Sequence, residues 1–180
     1  MFENNTKTQK FQQELYRQHY KRIYNTCLRI IGNPLDAEEI MHDVFLKVFD
    51  KIDNLQNECA FVAWSQSIAM RMSIDVLRKK GMVFADIENL QIIDNEMQIT
   101  EDKTENNNAM DFSVENIKEA LTKLADGYRI VLSMRLFEER EFEEIAEILK
   151  IKESSVRSQY ARGREKLVYL LKKNKIENNE

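Results

Sequence analysis

Basic and polar side chains are concentrated in residues 154–166 of this 180-residue chain. At helical spacing, Val156, Tyr160 and Leu167 turn inward. The opposite side of that helix is basic and polar: Arg157, Ser158, Arg162, Arg164 and Lys166. Arginine forms paired hydrogen bonds with base edges, whereas lysine and serine contact phosphate oxygens. The chemistry that this pattern favours is recognition of nucleic acid.

Two short amphipathic segments would position these side chains. In residues 142–149 the apolar residues recur at three- and four-residue spacing, which predicts one buried helix face: Phe142, Ile145, Ala146 and Leu149. After a tight break at residues 150–152, Ser154 can cap a second helix. A short helix, a tight turn and a longer basic helix are typical of the helix-turn-helix, whose second helix enters the DNA major groove. The alternative is a basic amphipathic helix pair in an ordinary helical bundle.

The charge of the whole chain hides a local asymmetry. Its formal net charge is −4 and its pI is near 5.4, which by themselves do not indicate a nucleic-acid-binding protein. From residue 150 to residue 175, however, the basic residues face only Glu153 and Glu165. Screening limits the reach of an exposed charge to roughly 10 Å at physiological salt. The local charge of residues 150–175, rather than the net charge of the chain, therefore decides whether this segment can bind nucleic acid.

Three helices are predicted in residues 1–80. The first runs from about residue 10 to residue 31 and ends at Gly32-Asn33-Pro34, and the second opens at Asp36, where Glu39 completes a capping-box-like start. The third covers about residues 58–80. The predicted core residues are Phe11, Leu15, Ile23, Cys27 and Ile30 in the first helix, Ala37, Ile40, Val44, Phe45 and Val48 in the second, and Phe61, Trp64, Ile68, Met72 and Leu77 in the third.

The remaining chain predicts a linker and a second helical domain. Residues 81–112 are acidic and lack a sustained apolar period, which indicates a flexible linker. Residues 113–175 predict a helix beginning near Ser113, a turn at Asp126-Gly127, an apolar helix over residues 130–137 and then the helix-turn-helix. With 4 Gly and 1 Pro in the chain, the predicted fold is all-α: two small helical domains joined by an acidic flexible linker, the second ending in the helix-turn-helix.

Two separated motifs resemble one known family. DAEEIMHDVFLKVFDKI followed by FVAWSQSIAMRMSIDVLRKK resembles the first domain of the extracytoplasmic-function (ECF) sigma factors. LADGYRIVLSMRLFEEREFEEIAEILKIKESSVRSQYARGREKL resembles their promoter-binding second domain. Both motifs in this order are far more specific than a helix-turn-helix alone. The resemblance implies a dissociable subunit of bacterial RNA polymerase that directs the enzyme to a class of promoters.

The resemblance also implies three sets of contact residues. Those matching the polymerase-binding helix are Glu39, His42, Asp43 and Leu46. Those matching the surface that binds and melts the −10 element are Asn54, Phe61, Trp64, Arg71, Asp75 and Arg78. Those matching the helix that reads the −35 element are Ser154, Ser155, Arg157, Ser158, Gln159 and Arg162. The apolar spacing of Trp64 favours a core position over a melting role.

The sequence departs from the family pattern at three of its positions. His42 stands where glutamine is usual, and Arg71 stands where asparagine is usual. Lys150 occupies the turn position that is commonly glycine. These changes affect individual contacts, particularly the preference for the −10 sequence.

Two further hypotheses remain. A helix-turn-helix regulator that binds duplex DNA without polymerase would leave the acidic face around His42 and the basic third helix unexplained. An enzyme is the other: Glu39 and His42 have the Glu-x-x-His spacing of di-iron bundles, but the other histidine, His19, has Tyr16 at the corresponding position. We therefore expect no catalysis, no cofactor and no metal site.

The expected partners are bacterial RNA polymerase core, promoter DNA and an anti-sigma factor, as the family resemblance implies. No stretch of the sequence approaches the roughly 18 apolar residues of a membrane span, so no membrane insertion and a cytoplasmic location are expected. Cys27 and Cys59 lie far apart without metal or redox spacing, which favours two core thiols.

Overall fold

A computed structural model describes residues 2–51, 58–84 and 113–177 of the chain. These residues form seven helices: α1 (Phe2–Ile31), α2 (Pro34–Asp50), α3 (Glu58–Lys79), α4 (Val114–Thr122), α5 (Asp126–Leu136), α6 (Phe142–Leu149) and α7 (Glu153–Glu177). No strand occurs in the described residues, so the all-α prediction is confirmed. The chain divides into two compact units, residues 1–82 and 83–180. Most of the predicted flexible linker, residues 85–112, lies outside the described residues.

The first unit packs α1, α2 and α3 around one apolar core. The whole predicted stripe of α2 is buried: Ala37, Ile40, Val44, Phe45 and Val48. On α1, Leu15, Ile23, Cys27 and Ile30 are buried as predicted, but Phe11 is exposed. Cys27 is a free thiol inside this core, whereas the side chain of Cys59 lies outside the described residues.

The start of α2 differs from its prediction. Asn33 caps the helix: its Oδ1 accepts hydrogen bonds from the N–H groups of Leu35 (2.9 Å) and Asp36 (3.1 Å). Pro34 then occupies the first turn, where its missing N–H costs nothing. The predicted cap at Asp36 and Glu39 is therefore wrong. Asp36 instead pairs with Lys80, whose Nζ lies 2.6 Å from its Oδ2, and so fixes α2 to the chain just after α3.

The buried face of α3 is only partly the predicted one. Phe61 and Leu77 are buried as expected, whereas Trp64, Ile68 and Met72 are half-buried. Small residues occupy much of the buried face: Ser65, Ala69 and Ser73 are buried, beside Met70 and Ile74. Small side chains let helix axes approach closely, so α3 packs tightly against its neighbours without a continuous stripe of large apolar residues.

The second unit contains α4 to α7. Ser113 caps α4 as the sequence predicted, since its Oγ accepts from the N–H of Asn116 at 3.2 Å. The predicted turn at Asp126-Gly127 is wrong, because both residues belong to the first turn of α5. The residues of one core cluster come from α4, α5, α7 and the residues between α4 and α5: Ala120, Leu121, Leu124, Tyr128, Leu132, Leu167 and Leu171.

Candidate polymerase and nucleic-acid interfaces

The helix-turn-helix is formed by α6, a short turn and α7. Lys150 ends α6 in the left-handed conformation (φ 57°), and the N–H of Ile151 donates to the carbonyl of Ala146 at 3.1 Å. The carbonyl of Lys152 then accepts from the N–H groups of Ser155 and Val156, at 3.0 and 3.2 Å. Because α7 begins at Glu153, Ser154 lies within its first turn, and the prediction that Ser154 caps the helix is wrong.

The residues predicted for the −35 element divide between the two sides of α7. Ser154 and Arg157 are exposed, and Ser158 and Arg162 are half-buried. Ser155 and Gln159 are only 5% and 3% exposed. Their side chains lie on the core side of the helix, where the Oε1 of Gln159 is 3.4 Å from the position of a Cβ added at Gly127 of α5.

Helical periodicity explains this burial. Residues 155, 159, 163 and 167 are spaced four apart, so Ser155 and Gln159 share a face with the buried Gly163 and Leu167. A direct contact of the Ser155 or Gln159 side chain with a base is inconsistent with this placement. The sequence-based assignment followed residue type, and polar type does not reveal burial.

Arg157 is held by side chains from both helices of the motif. Its Nε donates to the Oε1 of Glu153 at 2.5 Å, and its Nη2 lies 3.8 Å from the Oε1 of Glu143 on α6. Its guanidinium carbon stands 4.7 Å from the centre of the Phe142 ring, within cation–π range. The pair with Glu153 has the i,i+4 spacing of a single helix, whereas the contacts with Glu143 and Phe142 join α7 to α6 and leave no local pattern in the sequence.

The carboxylate of Glu144 orders the start of α6. The Oε2 of Glu144 accepts the N–H of Glu141 at 2.9 Å, and its Oε1 lies 3.3 Å from Nη1 of Arg140. The hydrogen bond from the backbone of Glu141, with smaller help from Arg140, holds the pKa of Glu144 below its ordinary value. The helix start is thereby fixed at the edge of the helix-turn-helix.

The predicted polymerase-binding residues form one exposed stripe on α2. Glu39, His42, Asp43 and Leu46 are all exposed, and Leu46 is 69% exposed despite its apolar side chain. Leu35 is 79% exposed and shares this stripe, because residues 35, 39, 42 and 46 are spaced four, three and four apart. Sequence reasoning missed Leu35, although its helical register with Leu46 was visible once the helix start was known.

His42 in this stripe is oriented by α1. The Tyr16 ring stacks on the His42 ring with centroids 6.3 Å apart and an interplanar angle of 10°. The Nε2 of His42 lies 3.9 Å from the Oε1 of Glu38. A groove of about 550 Å³ adjoins it, lined by Gln9, Gln12, Gln13, Tyr16, Arg17 and Phe49.

The residues predicted for the −10 element are partly assembled on α3. Trp64, Arg71, Asp75 and Arg78 share one face, being spaced seven, four and three apart. Arg71 and Asp75 are exposed, and the Nη1 of Arg78 lies 3.3 Å from the Oδ1 of Asp75. Trp64 is half-buried, so it has both a packed side and a solvent-facing side.

Two other residues of the −10 set are placed differently. Phe61 is fully buried and packs against the His19 ring of α1, with centroids 5.3 Å apart. Direct stacking of Phe61 on a DNA base is inconsistent with this position, which is set by the apolar contact of α3 with α1. Asn54 lies outside the described residues.

Within residues 2–51, 58–84 and 113–177, no group of three or more His, Cys, Asp or Glu residues is arranged to hold a metal ion. None of the helices in these same ranges is long and apolar enough to cross a membrane.

Two family models match the two halves of the chain. The model for sigma-70 region 2 matches residues 15–82, and the model for sigma-70, region 4 matches residues 115–167. The fold and the helix-turn-helix thus define a sigma-70-type transcription initiation factor with regions 2 and 4.

The curated relatives of this chain include members of the ECF group of sigma factors. ECF RNA polymerase sigma factor SigW of Bacillus subtilis is 32% identical over 152 residues, which cover 81% of each chain. ECF RNA polymerase sigma factor SigE of Mycolicibacterium smegmatis is 30% identical over 170 residues, covering 91% of this chain and 63% of that protein. The sigma factor RpoE of Bartonella quintana, solved in complex with the anti-sigma factor NepR, has a similar fold: the TM-score is 0.54 at 20% identity, covering 91% of this chain and 97% of that one.

The chain belongs to the ECF RNA polymerase sigma factors. It is a transcription initiation factor that binds bacterial core RNA polymerase and promoter DNA and directs promoter-specific initiation.

Proposed function

We propose that this sigma factor acts in the cytoplasm without catalysis of its own, and that three exposed helix faces divide its work. The α2 stripe binds core polymerase, the α3 face binds and melts the −10 element, and the outer side of α7 reads the −35 element. The observation that supports this division is the coincidence of each exposed stripe with residues that the family resemblance implies. In this proposal residues 1–80 and 113–175 are the two working domains.

The chemistry of the α2 stripe suits a basic partner helix. Leu46 and Leu35 supply an apolar contact that loses water on binding, while Glu39, His42 and Asp43 form a polar and acidic rim. Interfaces commonly combine a desolvated apolar centre with a charged rim that sets partner choice.

The α3 face suits opened DNA. Strand separation exposes bases that need stacking surfaces and a basic environment. Trp64 supplies a half-exposed ring, and Arg71 and Arg78 supply positive charge. Asn54 completes the proposed set, whereas Phe61 supports the surface from the core.

On α7, the proposed −35 contacts come from the outer side of the helix. Ser154, Arg157, Ser158 and Arg162 reach toward DNA. Ser155 and Gln159 position the helix from within, since both are buried on its core side.

A transcription assay tests the proposal. Core polymerase from a bacterium, preferably the source organism, is incubated with fragmented genomic DNA with and without the chain, and RNA 5′ ends are mapped. New start sites that share two spaced upstream elements are expected. If a folded chain free of inhibitor produces no new starts, while it binds duplex DNA tightly and sequence-specifically alone, the polymerase-independent regulator is the correct function.

An anti-sigma factor is the proposed regulatory partner. The sigma factor RpoE of Bartonella quintana is described in complex with one, and its fold is similar to this chain. Such a partner would cover the polymerase- or DNA-binding faces. Co-purification from the native cell is the test, and a chain recovered alone and constitutively active would contradict the proposal.

A further inference from the structure

The outer end of the helix-turn-helix carries an acidic arrangement around its exposed arginine. Glu153 lies in the first turn of α7, one turn before Arg157, and Glu143 lies on α6. Two carboxylates therefore flank one guanidinium. The local net charge of these three side chains is negative, on a surface that must approach DNA phosphates.

An aromatic ring lies against the guanidinium of Arg157. Phe142 contacts Arg157 on α7 and Arg135 on α5, whose guanidinium carbons lie 4.7 and 5.2 Å from the ring centre. The edge of Tyr160 packs on the same ring, with centroids 5.3 Å apart. Arg157 is thus held by ion pairs on one side and by an anchored ring on another.

We propose that Glu143 and Glu153 form a carboxylate clamp that sets the specificity of −35 recognition by holding Arg157 away from DNA phosphates. The proposal rests on the function proposed above for α7. Both glutamates are positioning residues, because they act through Arg157.

The clamp affects contacts with phosphates and contacts with bases differently. Non-specific affinity comes from neutralising phosphates, and a guanidinium already paired with two carboxylates contributes little to it. The carboxylates also repel any phosphate that approaches. This repulsion is the disfavouring element that specificity requires.

A base contact remains available to the clamped arginine. The ion pairs of Arg157 use Nε and Nη2, and a guanidinium carries five N–H donors. Guanine presents two uncharged acceptors in the major groove, O6 and N7. Arg157 can therefore donate to a guanine edge while it stays paired with Glu153. The clamp thus lowers the affinity for the −35 element less than the affinity for DNA of unrelated sequence.

The test compares two double variants of equal charge. Glu143→Gln with Glu153→Gln opens the clamp, and Glu147→Gln with Glu165→Gln removes the same charge from exposed positions on the same two helices. Glu165 is about 12 Å along α7 from Arg157, beyond the range of most screened interactions. Binding of the full chain to a duplex of unrelated sequence is measured by fluorescence anisotropy over a salt series.

The clamp variant is expected to bind unrelated duplex about 5-fold more tightly at 0.15 M salt. Its plot of log K against log salt should steepen by about 0.9, the value for one added phosphate contact. The control variant should show neither change. Equal tightening in both variants would overturn the proposal, because net charge would then explain it, and so would no tightening in either.

A second measurement separates this proposal from the function on which it rests. In the reconstituted holoenzyme, Arg157→Ala should reduce transcription from the mapped promoters, and the clamp variant should lower the ratio of these transcripts to background starts. An unaffected Arg157→Ala would contradict the −35 role of Arg157 itself. A defective Arg157→Ala with an unchanged clamp variant would contradict only the clamp.

Discussion

At the scale of single residues, the first unit has two leucines on the surface of α2, Leu35 and Leu46. Leu46 is 69% exposed on α2 beside acidic neighbours. We expect Leu46→Ala to weaken binding to core polymerase roughly tenfold or more, because burying a leucine contributes about 1.5–3 kcal/mol. Competition with a labelled reference sigma factor for core polymerase measures the effect.

Val168→Ala provides the matched control for Leu46→Ala. Val168 is also exposed and apolar, but it lies on α7 outside the proposed polymerase-binding stripe. Both variants should unfold at the temperature of the original chain. Equal affinity of the Leu46→Ala chain and the original for core polymerase would remove Leu46 from the interface.

Which site residues could be predicted depended on whether burial follows from residue type. Leu46 was assigned to the polymerase-binding helix face, it lies opposite the buried apolar stripe of α2, and it is exposed. The burial of Ser155 and Gln159 could not be predicted, because polar residues with buried partners look like surface residues in a sequence. Phe61 was predicted both as a core residue of α3 and as part of the −10 surface, because an aromatic ring suits either place, and its burial confirms the core prediction.

At the scale of helices, the prediction was best where apolar periodicity is strong and weakest at helix starts. Residues 142–149 form α6 as predicted. The predicted start of α2 was wrong because two capping patterns fit this segment, Asn33 alone and Asp36 with Glu39. Only the chain geometry at Pro34 selects Asn33. Contacts such as that of Phe142 with Arg157 join separate helices and leave no local pattern in the sequence.

The crossing of α5 and α7 leaves little room for a side chain at position 163. A Cβ at Gly163 would lie 3.1 Å from the Cβ of Tyr128 and 3.2 Å from the Cδ1 of Leu132, closer than ordinary contact. We expect Gly163→Ala to destabilise the chain by about 1–3 kcal/mol through overpacking. Urea unfolding of the second unit measures it.

Gly127→Ala is the control for this effect on the neighbouring helix. Its added Cβ would meet only the Oε1 of Gln159, at an ordinary 3.4 Å. Alanine is a better helix former than glycine by about 1 kcal/mol, so this change should be neutral or stabilising. A stabilising Gly163→Ala would show that α5 and α7 separate without cost.

The start of α6 predicts a stability difference that depends on pH. The backbone N–H of Glu141, with Arg140, lowers the pKa of Glu144, so the ionised form stabilises the folded state. A lowered folded pKa gives stability that is present above the unfolded pKa, near the ordinary value of 4.5, and is lost as pH falls through the folded pKa. Glu144→Gln should therefore be less stable than the original chain at pH 7 and approach it in acid.

The expected difference for Glu144→Gln is small, no more than about 1 kcal/mol, because the group is half exposed and solvent screens it. Thermal unfolding from pH 7 down to pH 3 follows the difference, with Glu147→Gln on the same helix as the control. A gap that is constant over this range would mean that the charge of Glu144 is not what orders the helix start.

At the scale of the whole molecule, the sequence predicted two helical units, and the structure divides the chain into residues 1–82 and 83–180. The first unit buries its own core, from Ile23 and Ile30 on α1 to Ile74 on α3. A unit of 82 residues is small but within the range in which single domains fold alone. The exact borders of residues 1–80 and 113–175 stay a prediction.

Separate cores predict separable functions. A fragment of residues 1–82 should fold cooperatively, because its buried apolar residues come from α1, α2 and α3. It carries the complete α2 stripe, so it should compete with the full chain for core polymerase with similar affinity, as measured by displacement of labelled full chain.

The same fragment lacks α7, so in the transcription assay it should fail at promoters that need the −35 element. Linking two weak DNA contacts raises overall affinity without any new contact, which is why loss of one unit should cost far more in transcription than in polymerase binding. A folded fragment that fails to displace the full chain would show that the second unit is also needed to hold the polymerase.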